Sequence, residues 1–403
     1  MPSWKEHALE ILARLGSSPA TSFSEDGVAA VVKAVLGEMG VSFEEDAFGN
    51  ILAKLASQSG DSRSGESRSG LAWSGSASGS NPSGSTIGST PNPPIAFVAH
   101  MDHPGFEIVA VEVTSGGDFL VGKALGGVPP GGFAPGLSLE VIHPEGRRLP
   151  ATIVERLGDT EDRQIRVQLT EPQLMEPQSV PIPCPAVFDL VDFQLDGDFI
   201  RMRALDDLAG CGSILTALSI LSREETAVDV YGVFTRAEEV GLVGARLLAE
   251  ANTLPRDTLV VSLESSRSLP GAEIGGGPVI RVGDAAFTFN AEAETVLTKA
   301  REILQDRAEP IKIQRQLMSG GTCEASAFAM QGYRATGIAF PLGNYHNGAP
   351  EDRIEAEFIH LEDFLGGVEL IAEAVRQVPH REDTAFRRRI GAVPEDFRRR
   401  LSR

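Results

Sequence analysis

Apolar positions along the chain recur first with helical spacing. The opening segment "MPSWKEHALEILARLG" carries Glu6, Glu10 and Arg14 inside that repeat, which predicts an amphipathic helix and not a cleaved leader. Residues 27–39, "GVAAVVKAVLGEM", repeat the spacing, and "FGNILAKLA" (48–56) reads as a strand reached through an Asn-containing turn. From Ser57 to Pro94 the pattern disappears into Ser, Gly, Asn and Pro. Such a stretch buries too little apolar surface to offset the entropy of ordering it, so 57–94 is expected to be a disordered insertion with a linker role. From 113 to 199 the pieces "DFLVGKAL", "LSLEVIHP", "LPATIVERL" and "RQIRVQLT" alternate between Gly/Pro turns, the spacing of a small β-barrel or sandwich. The run "GGVPPGGFAPG" within it reads as turn glycines, because no helix pattern follows and no GK[ST] is present. After residue 200 strands and helices alternate. The expected architecture is an α/β domain, 1–112 plus 200–380, with a central mixed sheet and helices on both faces, interrupted by a small β-barrel domain at 113–199. A basic tail, 381–403, with arginines at 387–389 and 398–400, reads as a solvated helical end.

Four of the apolar runs close on titratable groups. "IAFVAHMDHPGFEI" (95–108) delivers His100, Asp102 and His103; "VDVYGVFTRAEE" (228–239) ends on Glu238 and Glu239; "DTLVVSLE" (257–264) ends on Glu264; "ATGIAFPLGNYH" (335–346) ends on His346. An unpaired polar group taken out of water costs about 2–7 kcal/mol, so something must hold these. In an open α/β sheet the functional crevice lies outside the carboxyl ends of the strands, where groups distant in sequence converge. "RMRALDDLAGCGSILTAL" (201–218) adds Asp206 and Asp207 just before a helix, whose dipole favours carboxylates. Singly, each has a plain structural explanation: a helix cap, a solvated pair or a satisfied loop histidine. Together, so many carboxylates at one rim would repel unless cations sat among them. Two imidazoles and three carboxylates suit a two-metal site whose ions stand about 3.5–4 Å apart across a bridging carboxylate, and Glu238 is left over as a base.

Composition narrows the setting. The 403 residues suffice for about two to three domains. A net charge of −20 argues against nucleic acid or an anionic membrane as partner, and no run of eighteen apolar residues predicts a membrane span. Cys184, Cys211 and Cys323 are too few and too scattered for a disulfide framework, so a reducing, cytoplasmic setting is expected.

At these residues the chain resembles the co-catalytic metallo-aminopeptidases, and most closely the glutamyl aminopeptidase family that builds tetrahedral, twelve-subunit particles. The resemblance is carried by "EEDAFGNILAKL", "AHMDHPGFEI", "ALDDLAGC", "FTRAEEVGLVGARLLAE", "SGGTCEASAF" and "FPLGNYHN", in that order. It implies a zinc-peptidase-like fold and two divalent metal ions, for which Zn, Co and Mn are all suited. It implies His100 as ligand of one metal, Asp102 as the carboxylate that orients it, Asp206 as bridging ligand, Glu238 as general base and Glu239 as ligand of the other metal. Glu264 falls where the family usually has a ligand Asp, and His346 where it has its last His. The 103 residues between Asp102 and Asp206 leave room for a β-domain. The 81 between Glu264 and His346 are too few for the later extra domain of carboxypeptidase-like di-zinc relatives. The chain departs from the family in Glu264 for Asp, in "GGTCEA" (with Cys323 and Glu324) for Gly-Thr-Asp-Ala, and in lacking an Arg before Tyr345. His103 also stands where a different side chain is usual, either a plain loop residue or a support behind the ligands. The implied activity is removal of N-terminal residues from peptide substrates by a homo-oligomer, the family's assembly being a dodecamer. A di-metal amidohydrolase acting on a small acylated substrate is the competing reading, and a non-catalytic scaffold that keeps the fold is a third.

Overall fold

The computed structural model describes residues 3–58, 92–115, 117–158, 162–171 and 174–402. Most of the expected disordered insertion, residues 59–91, lies outside the described residues. Its two stems are held by one residue: the Asp229 carboxylate accepts the Ser57 N–H at 2.8 Å, and the Asp229 carbonyl accepts the Ile95 N–H at 3.0 Å.

An eight-stranded mixed sheet runs Ser42–Glu45, Ile51–Leu55, Val230–Thr235, Ile95–His100, Leu259–Arg267, Arg334–Leu342, Val279–Arg281, Gln314–Gln316. Its four middle strands, Val230–Thr235 to Arg334–Leu342, are mutually parallel, so their carboxyl ends share one rim. Parallel strands covered on both faces read as unbroken apolar runs, and all six residues of Ile95–His100 are buried. Its side chains alternate between two cores. Ile95, Phe97 and Ala99 pack with the helices Trp4–Gly16, Asp26–Glu38, Leu208–Leu221, Ala291–Gln305 and Leu361–Gln377. Ala96 and Val98 face Val243–Glu250 and Glu324–Met330. Leu208–Leu221 is apolar nearly all round and correspondingly central, with thirteen of its residues buried, and the Asp207 carboxylate caps it by accepting the Gly210 N–H at 3.0 Å.

The insert is a closed six-stranded barrel, in spatial order Gly105–Thr114, Gly117–Leu125, Gln164–Leu169, Arg148–Leu157, Ser138–Ile142, Cys184–Phe188. Phe106 fills its centre, edge-on to Phe133 at 5.8 Å and Phe188 at 6.0 Å. The expected bounds of 113–199 are shifted. Pro104-Gly105 is the turn that separates "AHMDH" from "FEIVAVEV", and Phe106 and Ile108 already point into the barrel. At the other end, Gln194–Asp196 and Phe199–Met202 form a three-stranded sheet with Glu357–His360 outside the barrel. No helix among the described residues is long and apolar enough to cross a membrane.

Candidate metal centre

The shared rim gathers the groups that close the apolar runs. His100 ends its strand, Glu264 lies near the end of Leu259–Arg267, Glu238 and Glu239 follow Val230–Thr235, and His346 follows Arg334–Leu342. Asp206 reaches the same place from the turn ahead of Leu208–Leu221. His100 Nε2 lies 3.6 Å from Asp206 Oδ1 and 3.9 Å from Glu264 Oε2. His346 Nε2 lies 3.6 Å from Asp206 Oδ2 and 3.2 Å from Glu239 Oε1. Each oxygen of Asp206 therefore faces a different imidazole. Glu238 Oε2 stands 3.9 Å from His100 Nε2, on the open side of the first set.

Both imidazoles have their tautomer set from behind. His100 Nδ1 donates to the Asp102 carbonyl at 2.9 Å, and His346 Nδ1 to the Gly127 carbonyl at 3.1 Å, so both Nε2 lone pairs point into the cluster. Gly127 comes from the loop that leaves the barrel strand Gly117–Leu125, so the insert touches the site directly. The Tyr345 ring stacks on His346, with centroids 3.8 Å apart.

Asp102 differs from its expected role. Its backbone carbonyl, not its carboxylate, orients His100; the carboxylate is 3.6 Å from Nδ1. The carboxylate instead accepts the amides of Glu238 at 2.9 Å and Glu239 at 3.2 Å and the Ser22 hydroxyl at 2.6 Å. Glu25 extends this support by accepting the Ala237 N–H at 2.9 Å and pairing with Arg236 at 2.7 Å. On the other side, Glu357 accepts the amides of Leu205 at 2.7 Å, Asp206 at 3.1 Å and His346 at 2.9 Å. It fixes two donor residues at once. Sequence reasoning missed Glu357, Ser22 and Glu25. The one available signal was an acidic residue inside an otherwise apolar alternation, "EFIH". His103 is buried behind the rim, where Nε2 accepts the Ala20 N–H at 3.3 Å and Nδ1 donates to the Pro104 carbonyl at 3.1 Å.

The departures from the family pattern have local answers. The Glu324 carboxylate turns inward to the Thr235 hydroxyl, while Asp284 accepts the Cys323 N–H at 3.0 Å and the Ser326 hydroxyl at 2.5 Å. Arg267 lies over the Tyr345 ring at 5.2 Å, bringing a cation there from another strand. A cleft of about 210 Å³ opens from Asp206 and Glu264 past Ser266, Arg267, Arg281 and Tyr345.

The residues present fit divalent cations. Among the described residues His100 Nε2 and Glu264 Oε1 are buried without a hydrogen-bond partner, each costing about 1–3 kcal/mol if nothing else satisfies it. Donor atoms around a tetrahedral ion held at about 2.0–2.2 Å stand roughly 3.3–3.6 Å apart, close to the separations here. Three donor sets occur among the described residues: His100, Asp206, Glu264; Asp206, Glu239, His346; and His100, Glu238, Glu239. The first two meet only at Asp206. The electrostatics agree. Burial pushes Glu238 well above the usual carboxylate range, with Glu264 and Glu239 adding to it against the opposing charge of His100. Burial likewise lifts Glu264 to about 8. Burial alone would lower His346, but the carboxylates of Glu239 and Asp206 outweigh it and raise the ring to about 11. Without cations the cluster can relieve its charge only by holding protons.

The comparisons with known proteins agree with this geometry. The family model described as M42 glutamyl aminopeptidase matches residues 84–370. A curated protein of Acetivibrio thermocellus, provisionally named as an aminopeptidase, is 28% identical over 193 residues, which are 46% of this chain and 53% of that protein. The chain thus spans about half the length of that curated relative. Among solved structures, an aminopeptidase of the archaeon Desulfurococcus kamchatkensis superposes with a TM-score of 0.72 at 22% identity, covering 95% of this chain and 99% of that one. The TET1 peptidase of Pyrococcus horikoshii, which can assemble into a tetrahedron or a large octahedral shell, gives 0.68 at 23% identity over 91% and 99%. The rim of donors, the barrel insert and the extent of the family match coincide on the same strands, and the chain belongs to the M42 glutamyl aminopeptidase family.

Proposed function

We propose that the protein is a di-metal aminopeptidase that removes N-terminal residues from peptides, with Glu238 as general base. The observation that carries the reading is Asp206, a single buried carboxylate whose two oxygens face the two imidazoles. His100, Asp206 and Glu264 hold one cation, and Asp206, Glu239 and His346 the other; Zn, Co and Mn all suit such donors. Cations held by these residues would supply Lewis-acid polarisation of the scissile carbonyl and a bound water whose pKa falls to about 7. Glu238, fixed through its amide by Asp102, takes the proton of the attacking water and returns it to the leaving amine. The adjoining cleft would receive the first side chain of the substrate. The assemblies of the structural relatives support a homo-oligomer.

Glu238→Gln is expected to keep the fold and metal content while turnover of an aminoacyl substrate drops by about 10²–10⁴-fold. A fully active Gln variant refutes the assigned base. Equal or faster cleavage of an N-acylated dipeptide than of the free one favours the amidohydrolase reading, and failure to retain Zn²⁺ or Co²⁺ after supply favours a scaffold.

A further inference from the structure

The family match ends at residue 370, and the chain continues into a basic tail that the proposed chemistry does not use. The tail is anchored as far as Thr384, which is buried, and the Ala385 N–H donates to the Glu302 carboxylate at 2.9 Å on the helix Ala291–Gln305. Beyond that point the helices Ala385–Gly391 and Glu395–Leu401 have no buried residue. Each presents an apolar pair at i, i+4 spacing, Phe386 with Ile390 and Phe397 with Leu401, all between 52% and 83% exposed. Arginines flank both pairs, and Arg399 and Arg400 have no ion-pair partner among the described residues. Two neighbouring apolar faces of this kind mark a contact surface.

A complementary surface lies at the opposite edge of the eight-stranded sheet. All four residues of the edge strand Ser42–Glu45 are exposed, among them Phe43 and Glu44. Phe48 and Phe23 stand out beside it, the latter tied to the same corner by its carbonyl, which accepts from Arg236 at 3.3 Å. An uncovered, partly aromatic edge strand is a template for a partner. Glu44 adds an exposed carboxylate with no ion-pair partner among the described residues, beside Glu45 paired with Lys33 at 2.6 Å and Asp26 at 3.6 Å from Arg236, where the tail is basic.

We propose that the tail, residues 385–401, docks on the Phe23–Phe43–Phe48 corner of a second copy of this chain. Within one chain both surfaces stay uncovered: the tail helices bury no residue and Ser42–Glu45 is exposed throughout. The anchoring helix packs on Arg334–Leu342, five strand spacings or about 24 Å from Ser42–Glu45, whereas Phe386 and Ile390 lie within about 8 Å of the anchor at helical rise. Charge selects the occupant. Residues 381–403 hold eight arginines against four acidic residues, so the rest of the chain is more acidic than the net −20 and repels anionic membranes and nucleic acid while attracting this tail. The two surfaces differ, so the contact is heterologous and joins successive copies head to tail.

The inference rests on the homo-oligomer reading, and light scattering of the full-length protein separates the two. The tail variant F386E/F397E and the edge variant F43E/F48E are each expected to weaken assembly at least about tenfold at fixed protein concentration, with circular dichroism and melting unchanged because all four residues are exposed. R399E/R400E is expected to dissociate likewise and to recover part of the wild-type mass when combined with E44R. An assembled wild type whose mass survives the tail variant overturns the arm contact alone, and loss of mass with the tail variant but not the edge variant overturns the seat. A monomeric wild type ends both readings. Sedimentation of wild type with phosphatidylserine vesicles, lost in the tail variant without a change of mass, assigns the tail to membranes and also overturns the contact.

Discussion

Replacing Gly127 by Ala tests whether the barrel insert sets the metal centre. A Cβ at this position would lie 2.2 Å from His346 Nδ1 and 2.5 Å from Cε1, against ordinary contacts of 3.4 Å or more, so the ring must shift by roughly 1 Å. It has little room to yield, because Tyr345 is stacked 3.8 Å away on the ring. Backbone strain does not enter, since Gly127 is not among the glycines with positive φ. The shift breaks the bond from Nδ1 to the Gly127 carbonyl and turns Nε2 away from Asp206 and Glu239. Loss of such an orienting contact lowers metal affinity by about 10–100-fold, or roughly 1.4–2.8 kcal/mol, and a 1 Å misplacement costs about 10²-fold in rate. Calorimetric titration of metal-stripped protein with Co²⁺ or Zn²⁺ reads the first quantity, and kcat/KM on an aminoacyl substrate the second. The event served by His100 and Glu264 should weaken less than the event served by His346 and Glu239. Wild-type affinities for both events together with wild-type kcat/KM refute the reasoning.

Three further outcomes follow from the same geometry. Burial, with the charge of Arg203 behind it, lowers His103 to about 4, below its unfolded 6.5. The unfolded chain therefore takes up the proton first, and a contribution of up to about 3 kcal/mol, present above pH 6.5, is lost as pH falls towards 4; urea unfolding of wild type against His103→Gln from pH 8 to 4 should show the gap closing, and a constant gap refutes it. Glu357→Gln places an amide donor against one of the three N–H groups the carboxylate now accepts, and should cost about 1–3 kcal/mol in urea unfolding and weaken metal binding; unchanged values for both refute its positioning role. In the metal-free protein His346 is raised to about 11 and His100 well above 6.5, so cation binding near pH 7 must release protons and tighten as pH rises from 6 to 9; titration heats independent of buffer ionisation enthalpy refute this.

The rim groups His100, Glu239, Glu264 and His346 were legible because each closes an apolar run, and a parallel strand covered on both faces gives such a run no other reason to end in a charge; Asp206, ahead of a helix, stood outside that pattern. His100, Glu264 and His346 are examples: the pattern names the rim before any contact is known. What surrounds them was not legible. Gly127 reads as one turn glycine among many, since only the folded approach of the loop sets its carbonyl against His346. Glu357 sits on a short strand paired with Phe199–Met202, a partnership between segments far apart in sequence with no periodic signature. Asp102 was placed correctly beside His100, but adjacency in sequence does not tell a backbone carbonyl from a carboxylate as the acceptor. The barrel boundary was missed because "FEIVAVEV" reads as an apolar continuation of the run before it, although Pro104-Gly105 marks the turn between them.

Asp229 grips both ends of the 59–91 connection, one with its side chain and one with its main chain. Its carbonyl thus anchors the six-residue strand that carries His100 at its far end, so a change at Asp229 would be felt at the rim.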